Sequence, residues 1–315
     1  MPEPTVLNDV NGAPDRKQPL VVSVILNTNR REDTLECLRS LERSTYPHHQ
    51  VVVLDNASSD GSVEAIAAAH PWVHTVRLEE NRGYAGNNNV GIEWALERGA
   101  DWIVLLNEDT VVDPECLSWM IQTGERDERI GVVGPLVFHF ESPDTIQSAG
   151  GRLSRYWQAT HIGANERPLG RFVDPREVDW ISGCCIMVRR KVFEEAGLID
   201  ARYFYYWEET ELCIRARKHG WRIVHVPKAR LWHKGVQVDY SPPPSVTYYA
   251  TRNRLLTLSK HRAPLLVRLV AWAELARTLS SWTVRPKWRA LRPHRHAMWR
   301  GLVDYRFQRW GKMPG

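Results

Sequence analysis

The sequence is poor in cysteine, with five in 315 residues. Cys184 and Cys185 are adjacent, Cys37, Cys116 and Cys213 stand alone, and no CxxC pair occurs. That excludes a dense disulfide framework and gives no sign of a structural zinc site, and it fits a reducing, cytosolic compartment. No stretch of about 18 uninterrupted apolar residues is present. The first twenty residues are polar and lack the apolar core of a signal peptide. The expectation is therefore a cytoplasmic chain without a standard secretion signal or membrane span. There is no P-loop and no GxGxxG, because Gly83-Tyr84-Ala85-Gly86 is too short, and no GxSxG elbow. Kinase-like, dehydrogenase-like and α/β-hydrolase readings lose most of their weight. Acid is scarce at one end. From Arg252 onward there are 15 Lys and Arg against only Glu274 and Asp304, a local charge of +13 hidden inside a net +5. The residues before Arg252 sum to −8, so two regions with different partners are implied.

What remains is an ordinary globular composition, 43% hydrophobic and 25% charged. After a polar lead, 1–19, expected to be disordered, short β-branched runs alternate with helical stretches. The runs are Val21 to Leu26, Gln50 to Leu54, Val73 to Leu78 and Trp102 to Leu106. Helices are expected over Thr34 to Ser44, Ser62 to His70 and Asn88 to Arg98. This spacing favours right-handed parallel crossovers and a doubly wound, mostly parallel α/β sheet. A strand over Asp179 to Val188, a short helix over Arg190 to Ala196 and a helix over Glu208 to His219 follow. Asp144 to Pro175 reads as loop, and Pro242 to Pro244 as a linker.

Each early strand ends in polar residues: Asn27, Thr28 and Asn29; Asp55 and Asn56; Asn81 and Arg82; Asn107, Glu108 and Asp109. In a parallel sheet such ends share one edge, where open α/β sheets bind ligands. Asn and Asp also make turns and helix caps there, and four sets in succession weigh against that alone. The carboxylates of Glu108 and Asp109, at a strand tip, suit Mg²⁺ or Mn²⁺ shared with a substrate diphosphate, a solvated turn being the plainer account. Further on, Tyr205-Tyr206-Trp207 precedes Glu208, Glu209 and Glu211 in the first turn of a helix. Glu208 and Glu211 share a face and Glu209 points elsewhere. One or two of the three suit the helix dipole, and one beside aromatic walls suits a general base of raised pKa. His233 follows Leu231-Trp232, where a lone His is more often structural.

The ordered set Val24-Ile25-Leu26-Asn27-Thr28-Asn29-Arg30, Leu54-Asp55-Asn56-Ala57-Ser58-Ser59-Asp60-Gly61-Ser62, Asn81 to Asn89 and Leu105-Leu106-Asn107-Glu108-Asp109-Thr110 resembles the family 2 glycosyltransferases of GT-A fold, particularly the rhamnosyltransferase-like branch. The resemblance runs on through Ser182-Gly183, Arg189-Arg190, the Trp-Glu-Glu-Thr-Glu-Leu helix start, Trp232-His233, Tyr248-Tyr249 and Arg252-Asn253, and covers roughly residues 20 to 260. It implies a glycosyltransferase domain over 20–240, with a nucleotide-binding first half and an acceptor-binding second half, and a basic, aromatic-rich helical extension over 241–315. It implies that Asp55 contacts the nucleobase, that Asn27, Asn29, Arg30, Asn81, Arg82, Gly83, Asn107 and Glu108 line the donor, and that Asp109 and His233 hold Mn²⁺ or Mg²⁺. Glu208 and Glu209 correspond to the family's acidic pair at the acceptor site. The second member, usually Asp, is the general base, and here it is Glu209. The activity implied is inverting, metal-dependent transfer of a hexose, rhamnose among the candidates, from a dTDP- or UDP-sugar to a polysaccharide or lipid-linked acceptor at the cytoplasmic face. A nucleotidyltransferase and an inactive sugar-nucleotide or membrane-binding protein are the alternatives. No nucleic-acid motif accompanies the basic end.

That end carries a further choice. Leu265, Leu266, Leu269, Val270, Trp272, Ala273, Leu275, Ala276 and Leu279 recur at helical spacing among Arg262, Arg268, Arg277, Arg285, Lys287 and Arg289. The stripe either packs on the catalytic domain or, helped by the local charge and by Trp282, Trp288 and Trp299, binds an anionic membrane surface peripherally.

Overall fold

The structure, a computed structural model, describes residues 18–314, so the lead expected over 1–19 lies almost wholly outside the described residues. The chain begins β1 (Val21–Asn27), α1 (Arg31–Glu42), β2 (His49–Asp55), α2 (Ser62–Ala69), β3 (His74–Arg77), α3 (Gly83–Glu97) and β4 (Trp102–Asn107). It continues through β5 (Thr110–Val112), α4 (Cys116–Gly124), β6 (Ile130–His139), β7 (Ile146–Ser148), β8 (Gly151–Leu153), β9 (Ala159–His161), β10 (Arg176–Glu177), β11 (Cys185–Arg189) and α5 (Arg190–Ala196). The last elements are α6 (Glu208–Lys218), β12 (Arg222–His233), α7 (Pro244–Lys260), α8 (Leu265–Val284) and α9 (Arg292–Arg306).

The main sheet runs β10-β12-β6-β11-β4-β1-β2-β3. β3, β2, β1 and β4 are mutually parallel, β11 enters antiparallel between β4 and β6, and β6 and β12 are parallel to each other. Alternation along the strands explains the two-sided core. Val21, Ile25, Val51, Val53, Trp102, Val104 and Leu106 meet Leu35, Leu38 and Leu41 of α1 on one face. Val22, Val24, Val52, Leu54, Ile103 and Leu105 meet Ala85, Ile92 and Ala95 of α3 on the other. Leu35, Leu38 and Leu41 recur every three residues, the helical spacing that turns one face inward. Gly91 lets α3 lie close, since a Cβ there would sit 2.2 Å from Val24 Cγ1.

Four expectations change in detail. Helix α3 starts at Gly83 instead of Asn88, because Asn87 and Asn88 turn inward: Asn87 Oδ1 accepts from Arg82 N (3.0 Å) and Asn88 Nδ2 donates to Tyr84 O (2.9 Å). The strand expected over Asp179 to Val188 is reduced to β11, since Ser182-Gly183-Cys184 form a turn before it. The loop expected over Asp144 to Pro175 contains the short β7, β8 and β9. Pro244 opens α7, taking the first helical position that proline favours.

Candidate active site

The register sets the site. Asn27 pairs with Asp55 across β1 and β2, and Leu26 with Asn107 across β1 and β4, so three polar strand ends fall on one edge. Asn27 and Asp55 are both buried, and Asn27 Nδ2 donates to Asp55 Oδ1 (2.9 Å) and to Ser58 Oγ (3.0 Å). Asn27 Oδ1 accepts from Thr34 Oγ1 (2.9 Å), which fixes the mouth of α1. Asp55 Oδ2 accepts from Ser58 N (3.2 Å), so both carboxylate oxygens brace the loops around them. Asn29, at φ 52, receives Ser59 N on Oδ1 (2.8 Å). This first group is held by its own hydrogen bonds, the turn-making chemistry that sequence alone also allowed.

The tip between β4 and β5 differs. Asp109 is buried and its Oδ1 has no hydrogen-bond donor, yet it lies 3.1 Å from His233 Nε2. His233 Nδ1 is 3.0 Å from Gln147 Oε1, an acceptor, so a neutral ring carries its proton there and turns the Nε2 lone pair toward Asp109. Asn107 Nδ2 reaches that nitrogen only at 3.4 Å. A carboxylate oxygen and an imidazole lone pair facing one another are a donor set short of a cation. Gly235 keeps the space open, since a Cβ there would come 2.5 Å from Asp109 Oδ2 and 3.2 Å from His233 Nε2. Among the described residues no cluster of three or more His, Cys, Asp or Glu side chains could hold a metal by itself. Arg30 faces this tip electrostatically while its Nη1 donates to Asp33 Oδ2 (3.1 Å). Burial and then Asp109 push Glu108 up to about 7.

The third group begins with the loop before α3. Asn81 Oδ1 accepts from Gly83 N (2.8 Å), and Arg82 Nε donates outward to Glu80 (2.7 Å). Gly83 is at φ +75, and a Cβ there would sit 2.3 Å from Phe204 O. The loop is thus seated on residues 203–207, which lead into Glu208. Tyr84 Oη donates to Gly183 O (2.6 Å), and Glu209 lies beside Gly183. Asn107 N donates to Cys184 O (2.9 Å), so the 182–184 turn connects the acid tip to the acidic pair.

Glu208 is buried with Oε2 lacking a partner, and Glu209 is half-buried. Burial, and then Glu209, push the Glu208 pKa well up, while burial pushes Glu209 up to about 7. Glu211 is different again. It is fully buried, receives Arg215, His261 and Lys260, and is held down to about 2 because the His261 hydrogen bond and the charges of Arg215 and Lys260 overcome its burial. Sequence reasoning missed the supporting Gln147, Gly235 and Tyr84. Tyr84 stands inside a quoted motif and Gly235 two residues past His233, whereas nothing near Gln147 marks it.

Three groups on the carboxyl edge of a half-parallel sheet define a class. Residues 23–197, more than half the chain, match Glycosyl transferase family 2, and the chain belongs to that family. It is a glycosyltransferase of GT-A fold, which sets aside nucleotidyl transfer. It is 29% identical over 254 residues to the N-acetylglucosaminyl-diphospho-decaprenol L-rhamnosyltransferase of Mycobacterium tuberculosis, covering 72% of this chain and 82% of the relative. It is 25% identical over 255 residues to the dTDP-rhamnosyl transferase RfbF of Shigella flexneri, covering 78% and 83%. In fold it is similar to the mannosyltransferase PcManGT from Pyrobaculum calidifontis in complex with GDP-Man and Mn²⁺, with TM-score 0.59 at 15% identity over 93% of this chain and 89% of that one. Staphylococcus aureus TarS 1–349 gives 0.58 at 14%, covering 91% and 80%.

The contact at Gly83 makes a prediction. Gly83→Ala should lose at least about 1 kcal/mol more stability than Gly61→Ala in urea denaturation. Both positions have positive φ, but a Cβ at Gly61 meets nothing within 4 Å. Equal losses would show that Gly83 does not seat the loop on Phe204.

Proposed function

We propose that this glycosyltransferase moves a hexose, rhamnose first among the candidates, from a dTDP- or UDP-sugar to a lipid-linked or polysaccharide acceptor, with inversion at the anomeric carbon. The observation that carries the reading is the unpartnered Asp109 Oδ1 facing His233 Nε2 beside the open carboxyl edge. Asp109 and His233 would hold Mn²⁺ or Mg²⁺, with water and the diphosphate filling its remaining positions. When bound, such an ion neutralises charge on the departing diphosphate. Arg30 adds a second positive group at that tip, and Asn27, Asp55 and the 81–83 loop bracket the nucleotide. The names of the two rhamnosyl relatives support the choice of sugar.

Glu209 is the base. Two adjacent buried carboxyls resist ionising together, and the more deeply buried Glu208 keeps its proton longer. Glu209, pushed only to about 7, is free to take the acceptor hydroxyl proton at neutral pH. The acceptor oxygen then bonds the anomeric carbon as the bond to the diphosphate breaks, and the diphosphate leaves with the electron pair. Tyr84 and Gly183 border Glu209.

The extension supports a membrane-side acceptor. No helix among the described residues is long and apolar enough to cross a membrane. Yet Leu265, Leu266, Leu269, Trp272, Ala273 and Ala276 of α8 are exposed, while Val267 and Ala271 on its other side are buried. At 100° per residue the exposed six span roughly 120° and are flanked by the exposed Arg268 and Arg277. An apolar face turned outward between two arginines fits the interface of an anionic bilayer.

Three outcomes follow. Asp109→Asn should weaken Mn²⁺ binding, followed by electron paramagnetic resonance with nucleoside diphosphate present, and should lower kcat at least about a hundredfold; unchanged Mn²⁺ affinity would remove Asp109 from the ion. Glu209→Gln should abolish transfer while donor binding stays within a few fold, and in the natural chain kcat should climb as pH rises through about 7 and Glu209 loses its proton. If Glu208→Gln proves the more damaging change, the roles are reversed. Finally, the natural chain should co-sediment with phosphatidylglycerol vesicles, less at high salt, and Leu269→Ser with Trp272→Ser should release it. Equal sedimentation of the two chains, or none by either, returns α8 to plain packing.

A further inference from the structure

The acidic pair is reached through a contorted stretch of backbone. Phe204 (φ 64), Tyr206 (φ 66) and Trp207 (φ 76) all occupy the left-handed region, which bulky side chains avoid unless their surroundings impose it. Trp207 is the residue immediately before α6, so its conformation sets the direction in which Glu208 and Glu209 leave the backbone.

What imposes the turn lies beyond the family match, on α7. Asn253 is fully buried, and its Nδ2 is 2.8 Å from Tyr203 O, 2.8 Å from Tyr205 O and 2.7 Å from Tyr206 O. Three carbonyls around one nitrogen require the amide donor there. Asn253 Oδ1 accepts from Arg252 Nε (3.0 Å), which fixes the amide the right way round. Arg252 is also fully buried and donates to Tyr203 O (2.9 Å), Arg202 O (3.2 Å), Gly311 O (2.8 Å) and Tyr248 Oη (3.2 Å). Tyr248 in turn donates to the buried Asp304 of α9 (2.8 Å), giving the guanidinium a route to an opposite charge. On its other side the turn carries Phe204, whose carbonyl accepts from Ala85 N (3.3 Å) at the start of α3. An aspartate at 253 would set oxygens against oxygens, and no apolar residue could donate.

We propose that Asn253, oriented by Arg252, is a positioning residue that holds the 203–207 turn and thereby places Glu208 and Glu209 against the acceptor. The inference rests on the reading of that pair as the acid–base site. It also gives α7 a part in the reaction, although the helix carries no group that touches substrate. Truncation before α7 therefore removes more than an appendage.

The test needs no knowledge of the donor. Glutamate carboxyl carbons are labelled with ¹³C in the full chain and titrated by NMR, with Glu208→Gln and Glu209→Gln assigning the two signals. Tyr84, Cys184, Cys213 and Tyr205 lie within electrostatic reach of the pair and burial pushes each far above neutral pH, while Glu211, on the same face of α6 as Glu208, is held down to about 2, so none of them titrates near the pair. Asn253→Ala should let water reach the pair and move at least one of the two carboxyl titrations down by about one pH unit or more. The control is Thr257→Val. Thr257 Oγ1 bonds Tyr203 Oη (2.7 Å) one turn further along α7 but touches none of those carbonyls, so its loss should leave both titrations in place. Asn253→Ser, which keeps one donor, should give a smaller shift and carries the test if Asn253→Ala does not fold. Titrations unchanged in the folded Asn253 variants, or moved equally by Thr257→Val, would reduce Asn253 to packing. Turnover by Glu209→Gln would instead overturn the reading of the pair and leave the titration result standing.

Discussion

The open edge depends on one constraint, the parallel register of β2, β1 and β4. Because Asn27 stands opposite Asp55 and Leu26 opposite Asn107, the polar ends of three strands finish together. A slip of one residue would turn the alternating core faces over and bury the wrong set, so the apolar packing itself enforces the site. The Asn27 amide then ties β1 to β2 at their tips, where sheet pairing ends. The geometry of this edge is in this sense a consequence of core packing.

The acidic pair is positioned by another means. It has no strand register to rely on, and Glu208 and Glu209 follow a turn that, beyond its own Tyr205 N to Tyr203 O bond (2.7 Å), is held by hydrogen bonds from outside it. Those bonds come from α7, and the same turn seats the 81–83 loop through Phe204 and Gly83. The two halves of the site thus share one stretch of backbone. Glu211 adds a separate anchor: by gathering Arg215, Lys260 and His261 it fastens α6 to the end of α7.

The first half of this arrangement is legible in the sequence because each strand is a clean apolar run with a polar stop, and the order of stops is specific. The second half is less so. β12 carries Pro227, Lys228 and Arg230 and breaks register between Val226 and Arg230, which hides its period. β6 is wholly buried but contains Gly131, Gly134 and Pro135, residues that usually argue against a strand. The three glutamates could be divided by helical geometry, since Glu208 and Glu211 share a face, but only their partners separate a proton holder from an ion-pair hub. Arg252 and Asn253 are visible as a motif. Their role is not, because it consists of hydrogen bonds to carbonyls some fifty residues earlier in the chain.

The central claim is that one carboxylate deprotonates the acceptor while the diphosphate departs from the opposite side of the sugar. The most direct measurement is the anomeric configuration of the transferred sugar, read by NMR on the first product formed from dTDP- or UDP-sugar with Mn²⁺ or Mg²⁺. The account predicts the configuration opposite to that of the donor, with nucleoside diphosphate released in equal amount. Retained configuration would contradict it.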